Sequence, residues 1–156
     1  MKINNVKFAK AREQLSAVIQ LSDLARVQEI DQYGGEISFK LLGDVDNLQR
    51  PTLQLSIYGI ISTLCQNCMH PLEIKIDNLT VLTVFFSEEK LDQALFSEEG
   101  SEVVDGVLAE DDFNVMQLVE DEIIMLLPYA PKHESCLGLS YHDPVENQFG
   151  VLKKIV

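Results

Sequence analysis

The 156-residue chain has no tryptophan, only three cysteines and five prolines, and no long run of apolar residues. A membrane-spanning helix needs about 20 mainly apolar residues in succession, so we expect no membrane contact. The first twenty residues also lack the continuous apolar stretch of a secretory signal, which favours a cytoplasmic protein. In that compartment we expect the three thiols to be reduced or to bind metal, because disulfides rarely persist there.

The common catalytic motifs are also missing. The sequence contains no Gly-x-Ser-x-Gly turn, no P-loop and no dinucleotide-binding glycine pattern. Its three histidines (His70, His133 and His142) have no evident set of serine or carboxylate partners. No cluster of aromatic and basic residues suits the stacking of nucleic-acid bases. We therefore predict a protein that is not an enzyme and takes no small-molecule substrate.

Positive charge is scarce and unevenly placed. The chain has 12 basic and 25 acidic residues, for a net charge of −13, and residues 88–146 hold 16 of the acids but only two bases. Four bases lie within the first twelve residues, which contain no acid. The acidic half would repel bare nucleic acid and attract a basic protein. The alternative is that these acids only keep the protein soluble.

The length and the hydrophobic fraction of 46% predict one domain spanning residues 1–156. Apolar residues at helical spacing predict a helix over 10–20 and a second over 22–30, capped by Ser22. Alternation of apolar and polar residues predicts strands at 36–41, 52–64 and 72–77, and the last continues as a more apolar strand over 79–86. Residues 43–51 and 65–71 should form the connections of an antiparallel meander.

The second half of the chain combines an acidic segment with one long helix. Seven acids and no base occur between Glu98 and Asp112, which predicts a mobile loop over about 97–111 after a short helix at 88–96. Asp112 is the expected cap of a helix over about 112–127, which Pro128 ends. The predicted fold class is α+β, with short N-terminal helices and the long helix packed on an antiparallel sheet.

Two pairs of metal-ligand residues stand out. Cys65 and Cys68 have C-x2-C spacing, and His133 and Cys136 have H-x2-C spacing. Together they would supply the four ligands of a structural zinc site that joins distant parts of the chain. His70 is a competing ligand. Two alternatives remain open: three inert thiols, or a redox-active Cys65–Cys68 pair, although such pairs usually begin a helix.

Three consecutive acids, Glu120, Asp121 and Glu122, lie in the middle of the predicted long helix. Most such acids form a solvated face, but Glu122 follows Leu118 by one turn and lies near the edge of the apolar stripe. An acid at that edge would contact a basic partner or cap a neighbouring loop. We predict that the three acids form part of a surface that binds a basic protein.

Two stretches carry a family resemblance. LCQNCMHPL, at 64–72, is similar to the C-x-R-C-hydrophobic element of the YceD family, and VEDEIIMLLPYAPKHESC, at 119–136, is similar to its second signature. NQFGVLKKI, at 147–155, resembles its C-terminal N-P-F-x-x-L-x-x-L element. Asn67 and Gln148 stand where the family often has a basic residue and a proline. The matching positions are Cys65, Cys68, Glu120, Asp121, Glu122, Pro128, Pro131, His133 and Cys136.

The resemblance implies a large ribosomal RNA subunit accumulation protein. Such a protein supports the synthesis, processing or stability of 23S rRNA during biogenesis of the large ribosomal subunit, with no established enzymatic activity. Together with the charge pattern, this predicts contact with a basic ribosomal or RNA-processing protein, and with rRNA only indirectly. The alternative is a module that binds rRNA directly.

Overall fold

The structure is a computed structural model, which describes residues 1–30, 33–95 and 105–136. It has the predicted mixed α+β class, with most strands antiparallel. The elements in chain order are β1 (Lys2–Ile3), α1 (Asn5–Lys10), β2 (Gln14–Gln20), α2 (Ala25–Ile30), β3 (Gly34–Val45), β4 (Pro51–Leu64), β5 (Pro71–Phe85), α3 (Glu88–Leu95), β6 (Gly106–Leu108), β7 (Phe113–Asn114) and α4 (Val115–Leu126). None of the described helices has the length and apolarity to cross a membrane.

The main sheet has five strands in the order β2-β3-β4-β5-β6. β3, β4 and β5 form the predicted antiparallel meander, β2 adds a fourth antiparallel strand that was not predicted, and β6 pairs with β5 in parallel. The strand predicted at 72–77, with its more apolar continuation over 79–86, is β5, which pairs with β4 along most of its length. A second, two-stranded sheet joins β1 to β7 and so ties the N-terminus to the start of α4.

The core lies on one face of the main sheet. Alternate residues of β3 and β4, such as Phe39 and Ile57, point into it and are almost fully buried. Val119 and Ile123 of α4 pack into the same cluster, as do residues of α1 and α2. On the opposite face, Tyr58 is more than half exposed, which is the inward-apolar, outward-open pattern of an antiparallel sheet with one covered side.

The helix predicted over residues 10–20 is wrong, because residues 14–20 form the edge strand β2. Leu15, Ala17 and Ile19 are half-buried on the core side, while the residues between them are exposed. This burial has a period of two residues, and β-branched Val18 and Ile19 favour a strand. The helix in this region is α1, which Asn4 caps by accepting a hydrogen bond from the Lys7 backbone N–H at 2.8 Å.

Three other boundaries differ from the predictions. Ser22 does not cap a helix, because it lies inside a 3₁₀ turn at Leu21–Asp23 that precedes α2. Asp112 is not the cap of the long helix either. Phe113 and Asn114 pair with β1, so α4 begins at Val115, after Asn114. The predicted loop at 43–51 is only a short turn between the end of β3 and the start of β4. The Asp46 side chain stabilises this turn by accepting hydrogen bonds within it. The mobile loop predicted at 97–111 lies largely outside the described residues, although 106–108 form β6.

Candidate metal centre

The first ligand pair lies in the tight connection between β4 and β5. Cys65 directly follows β4, and its backbone N–H donates to the His70 carbonyl at 2.9 Å. The Met69 N–H donates back to the Cys65 carbonyl at 2.8 Å, with Met69 at a positive φ of 60°. These bonds fold the chain back within a few residues, and the thiols of buried Cys65 and half-buried Cys68 reach the same side.

The second ligand pair comes from the segment after α4. The Gln66 N–H donates to the Pro131 carbonyl at 2.8 Å, which fastens this segment to the β4–β5 connection. The Cys136 N–H donates to the His133 carbonyl at 3.3 Å and closes a turn that carries both side chains. Two segments that are distant in sequence therefore meet through their backbones as well as through their ligand side chains.

The four ligand atoms have the spacing of a tetrahedral site. The Sγ atoms of Cys65 and Cys136 lie 3.6 Å apart, and Cys68 Sγ lies 3.5 Å from His133 Nδ1. A tetrahedron with Zn–S near 2.3 Å and Zn–N near 2.0–2.1 Å has S···S and S···N edges of about 3.8 and about 3.6 Å. All four atoms lie within 4.8 Å of one another. Cys65, Cys68, His133 and Cys136 could therefore hold a metal ion.

The His133 ring is oriented for ligation through Nδ1. Its Nε2 lies 3.0 Å from the Pro71 carbonyl oxygen, which can only accept a hydrogen bond. Nε2 therefore carries the proton and donates it, which leaves the Nδ1 lone pair facing Cys68. A carbonyl partner on the second ring nitrogen is the usual way in which proteins fix the orientation of a ligating histidine.

The thiols differ in their ease of ionisation. Burial disfavours the Cys65 thiolate, but hydrogen bonds from the backbone N–H groups of His133, Asn67 and Cys68 lower the pKa of Cys65 to about 5. Burial and the neighbouring thiols, Cys68 and then Cys65, raise the pKa of Cys136 to about 11. The backbone hydrogen bonds thus favour the thiolate of Cys65, whereas ionisation of a second thiol, Cys136, in the same small volume is disfavoured. A cation at the centre would relieve that repulsion.

Of the other two histidines, only His70 is among the described residues. His70 is exposed and is not one of the four clustered residues, and His142 lies outside the described residues. Cys65, Cys68 and Cys136 are free thiols, and the 3.6 Å between Cys65 and Cys136 exceeds the roughly 2.05 Å of a disulfide. Of the open interpretations, the geometry favours the four-ligand metal site.

The three consecutive acids of α4 face different surroundings. Glu122 is only 6% exposed, and its carboxylate accepts hydrogen bonds from the Asn78 amide, at 2.9 Å, and from the Thr80 hydroxyl. Glu120 and Asp121 are half-buried beside Arg26. Glu122 therefore binds α4 to β5, and its carboxylate does not lie on a solvated face.

Arg26 joins the other two acids to α2. Its backbone N–H donates to Glu120 at 2.8 Å, and its guanidinium forms an ion pair with Asp121. The hydrogen bond to Asp121, together with its charge, raises the pKa of Arg26. Arg26, Asn78 and Thr80 were not predicted from the sequence as partners of this helix. The spacing of Glu122, three residues after buried Val119, was the available indication that its side chain points inward.

Two shallow cavities lie side by side along α4. One, of about 430 Å³, is lined by residues including Glu110, Asp112 and Asp121. The other, of about 640 Å³, is lined by residues including Asp23, Glu120 and Asp121. Both share Asn114, Gln117 and Asp121, so they form one groove, here called the acidic groove. Only two bases line it, Lys2 and Arg26, each paired with an acid.

No family model, no curated protein and no solved structure matches this chain.

Proposed function

We propose that this protein is a non-enzymatic factor that supports the synthesis, processing or stability of 23S rRNA in large ribosomal subunit biogenesis. The observation that carries the proposal is that the residues of the two YceD-like stretches meet in space. Cys65, Cys68, His133 and Cys136 converge in one cluster, and the acids of the VEDE run fasten α4 to its neighbours. The two stretches thus lie together in one three-dimensional unit, which supports the proposal that they form one signature.

We infer that the ion at the Cys3His centre is zinc and that its role is structural. Three thiolates and one imidazole are ligands that zinc accepts in closed tetrahedral sites. Four protein ligands leave no position for water or substrate, which is the arrangement of a structural site. Elemental analysis of the purified protein tests this. One zinc per chain supports the proposal, and a chain that carries no metal after purification without chelators contradicts it.

The partner in this proposal is a basic ribosomal or RNA-processing protein that binds the acidic groove. Five acids line the groove against two bases, which leaves a net negative surface. Because Glu122 is buried and bonded to Asn78 and Thr80, the contact relies on Glu120 and Asp121 together with Glu110 and Asp112. Exposed lysine or arginine side chains of a partner would find complementary charge there.

Affinity purification from cells, with identification of both the bound proteins and the bound RNA, is the test. We expect a basic protein of the large subunit or its processing machinery, in a complex that added salt weakens steeply. The groove variant Glu110→Gln/Asp112→Asn should recover less of it. The matched control Glu73→Gln/Asp77→Asn removes the same charge from exposed positions of β5 and should recover it normally.

A gel-shift experiment with a 23S rRNA fragment separates this proposal from direct RNA binding. The purified protein should not shift the fragment at physiological salt, since its acidic half repels phosphates. Tight binding without any protein partner would make rRNA the direct ligand and would contradict the proposed mechanism. Equal recovery of the same partner by the groove variant and its control would contradict the assignment of the contact surface.

A further inference from the structure

The edge strand β2 is unlike the rest of this acidic chain. Residues 14–22 carry no charge, no proline and no glycine, within a protein of net charge −13. β2 is the first strand of the five-stranded sheet, and among the described residues no strand pairs with it on the side away from β3. Sheet edges are normally protected by charged residues, proline or bulges, because their unpaired backbone groups invite pairing with another chain. β2 has none of these protections.

The core side of the same strand is incomplete. Leu15, Ala17 and Ile19 point toward the core but are only half-buried, whereas their β3 partners Ile37, Phe39 and Leu41 are 0–1% exposed. On the outer face, Val18 is 57% exposed. The apolar row of the core therefore continues to the edge of the sheet, and no strand among residues 1–30, 33–95 and 105–136 lies beyond it.

We propose that β2 pairs antiparallel with β2 of a second copy of this chain, so that two five-stranded sheets join into one. The sequence QLSAVIQ is nearly symmetric about Ala17. With Ala17 opposite its own copy, Gln14 lies opposite Gln20, Leu15 opposite Ile19, and Ser16 opposite Val18. This places apolar side chains together on the core side and amides together on the outer face. A twofold interface requires such self-complementarity, and cross-strand pairs of this kind stabilise a sheet.

Charge favours a second copy over a basic partner at this edge. A lysine-rich or arginine-rich segment would find no acid between residues 14 and 22. A second copy finds a neutral strand, and the antiparallel register brings the end with Arg12 and Glu13 of one copy toward the end with Asp23 of the other. The seven paired positions themselves carry no charge, so no like charges lie opposite each other between Gln14 and Gln20. Each copy has a net charge of −13, and the repulsion between the two copies acts only at long range.

Pairing along seven residues covers less surface than the roughly 1,600 Å² of a standard interface. The complex is therefore a reversible dimer that depends on protein concentration. Salt should strengthen it, since screening removes the repulsion between the copies. This response is opposite to that of a complex between the acidic groove and a basic protein, so the two kinds of association can be told apart.

Sedimentation velocity over a range of protein and salt concentrations tests the proposal. We expect a monomer–dimer equilibrium that salt shifts toward dimer. Val18→Lys should raise the dimer dissociation constant at least tenfold, because a lysine on the edge blocks strand pairing. Tyr58→Lys is the matched control: its side chain lies in the same cross-strand row, through Ser38, is 55% exposed, and is on β4 away from the edge. It should leave dimerisation unchanged.

Hydrogen exchange provides an independent readout on the same samples. Raising the protein concentration should slow the exchange of amides in β2 in the wild type and in Tyr58→Lys, but not in Val18→Lys. A protein that stays monomeric at every concentration and salt would overturn the proposal. A dimer that both lysine variants disrupt equally would also overturn it, since that would indicate pairing through the sheet face. An assembly that grows beyond two chains would overturn it as well.

Discussion

Replacing His133 by alanine is expected to remove the metal and much of the stability of the protein, whereas replacing His70 by alanine should do neither. Both histidines lie near the cysteine pairs, but only His133 belongs to the four-ligand cluster. Its Nδ1 is 3.5 Å from Cys68 Sγ, and its Nε2 is held by the Pro71 carbonyl. The comparison therefore separates a loss of ligation from a general effect of losing an imidazole near the site.

The expected loss of stability can be calculated from the length of the loop that a bound ion would cross-link. Cys68 and His133 are 65 positions apart, and the chain-entropy relation for a cross-link over such a loop gives about 4 kcal/mol. This is an upper value, because the Gln66–Pro131 backbone bond remains in the variant. For a chain of this size, 4 kcal/mol corresponds to a melting temperature lower by about 8–16 °C.

Thermal unfolding followed by circular dichroism, with metal content measured on the same samples, is the assay. His70→Ala should keep the wild-type metal content and melting temperature, and a chelator should lower the melting temperature of wild type but not of His133→Ala. The reasoning is refuted if His133→Ala retains one metal per chain at the wild-type melting temperature, or if both alanine variants lose metal equally.

Three further perturbations test the fold that positions the site. Glu122→Ala should destabilise the protein by about 1–3 kcal/mol in urea unfolding, because the half-buried Asn78 amide and Thr80 hydroxyl lose the carboxylate that accepts their hydrogen bonds. Glu122→Gln should cost less, since its carbonyl still accepts; equal costs would contradict this. Gly43→Ala should lower the free energy of unfolding by about 1–3 kcal/mol, because the new Cβ would lie 2.4 Å from the Phe8 carbonyl oxygen. Gly34→Ala should lower it clearly less, because the atom nearest to its new Cβ is 3.9 Å away. Although burial favours the neutral acid, hydrogen bonds from Arg50 hold the pKa of Asp46 below its ordinary 3.8. The stability that Asp46 adds is therefore complete above that value and is lost as the pH falls below it. Between about pH 5 and about pH 3, wild type should lose more stability than Asp46→Asn, and parallel profiles would refute the assignment.

The meander was predictable because each strand carries its burial pattern in its own residues. The alternation in β3 and β4 has one covered face, so a period of two is visible from residue types alone. β2 was misread because the apolar residues Leu15, Val18 and Ile19 fit a helical spacing, and only pairing with β3 decides that Val18 points outward. The start of α4 was misplaced for a similar reason, since pairing with β1 takes Phe113 and Asn114 into a strand.

The metal centre was more accessible from the sequence than its surroundings were. C-x2-C and H-x2-C spacings name their ligands directly, and the structure brings these four residues together. Spacing could not reveal the Pro71 carbonyl that orients His133, or the Pro131 carbonyl that receives the Gln66 N–H, because backbone partners have no sequence pattern of their own. The pairing of Arg26 with Asp121 likewise depends on how α2 and α4 pack.

The order of the ligands along the chain has a consequence for biosynthesis. When Cys65 and Cys68 leave the ribosome, the nascent protein offers only two sulfur ligands, and two ligands hold an ion far less tightly than four. His133 and Cys136 emerge only after α4 has been made. If the cluster holds an ion, firm retention of that ion would mark a molecule whose translation has passed that helix, and truncated products that end earlier would bind it only weakly.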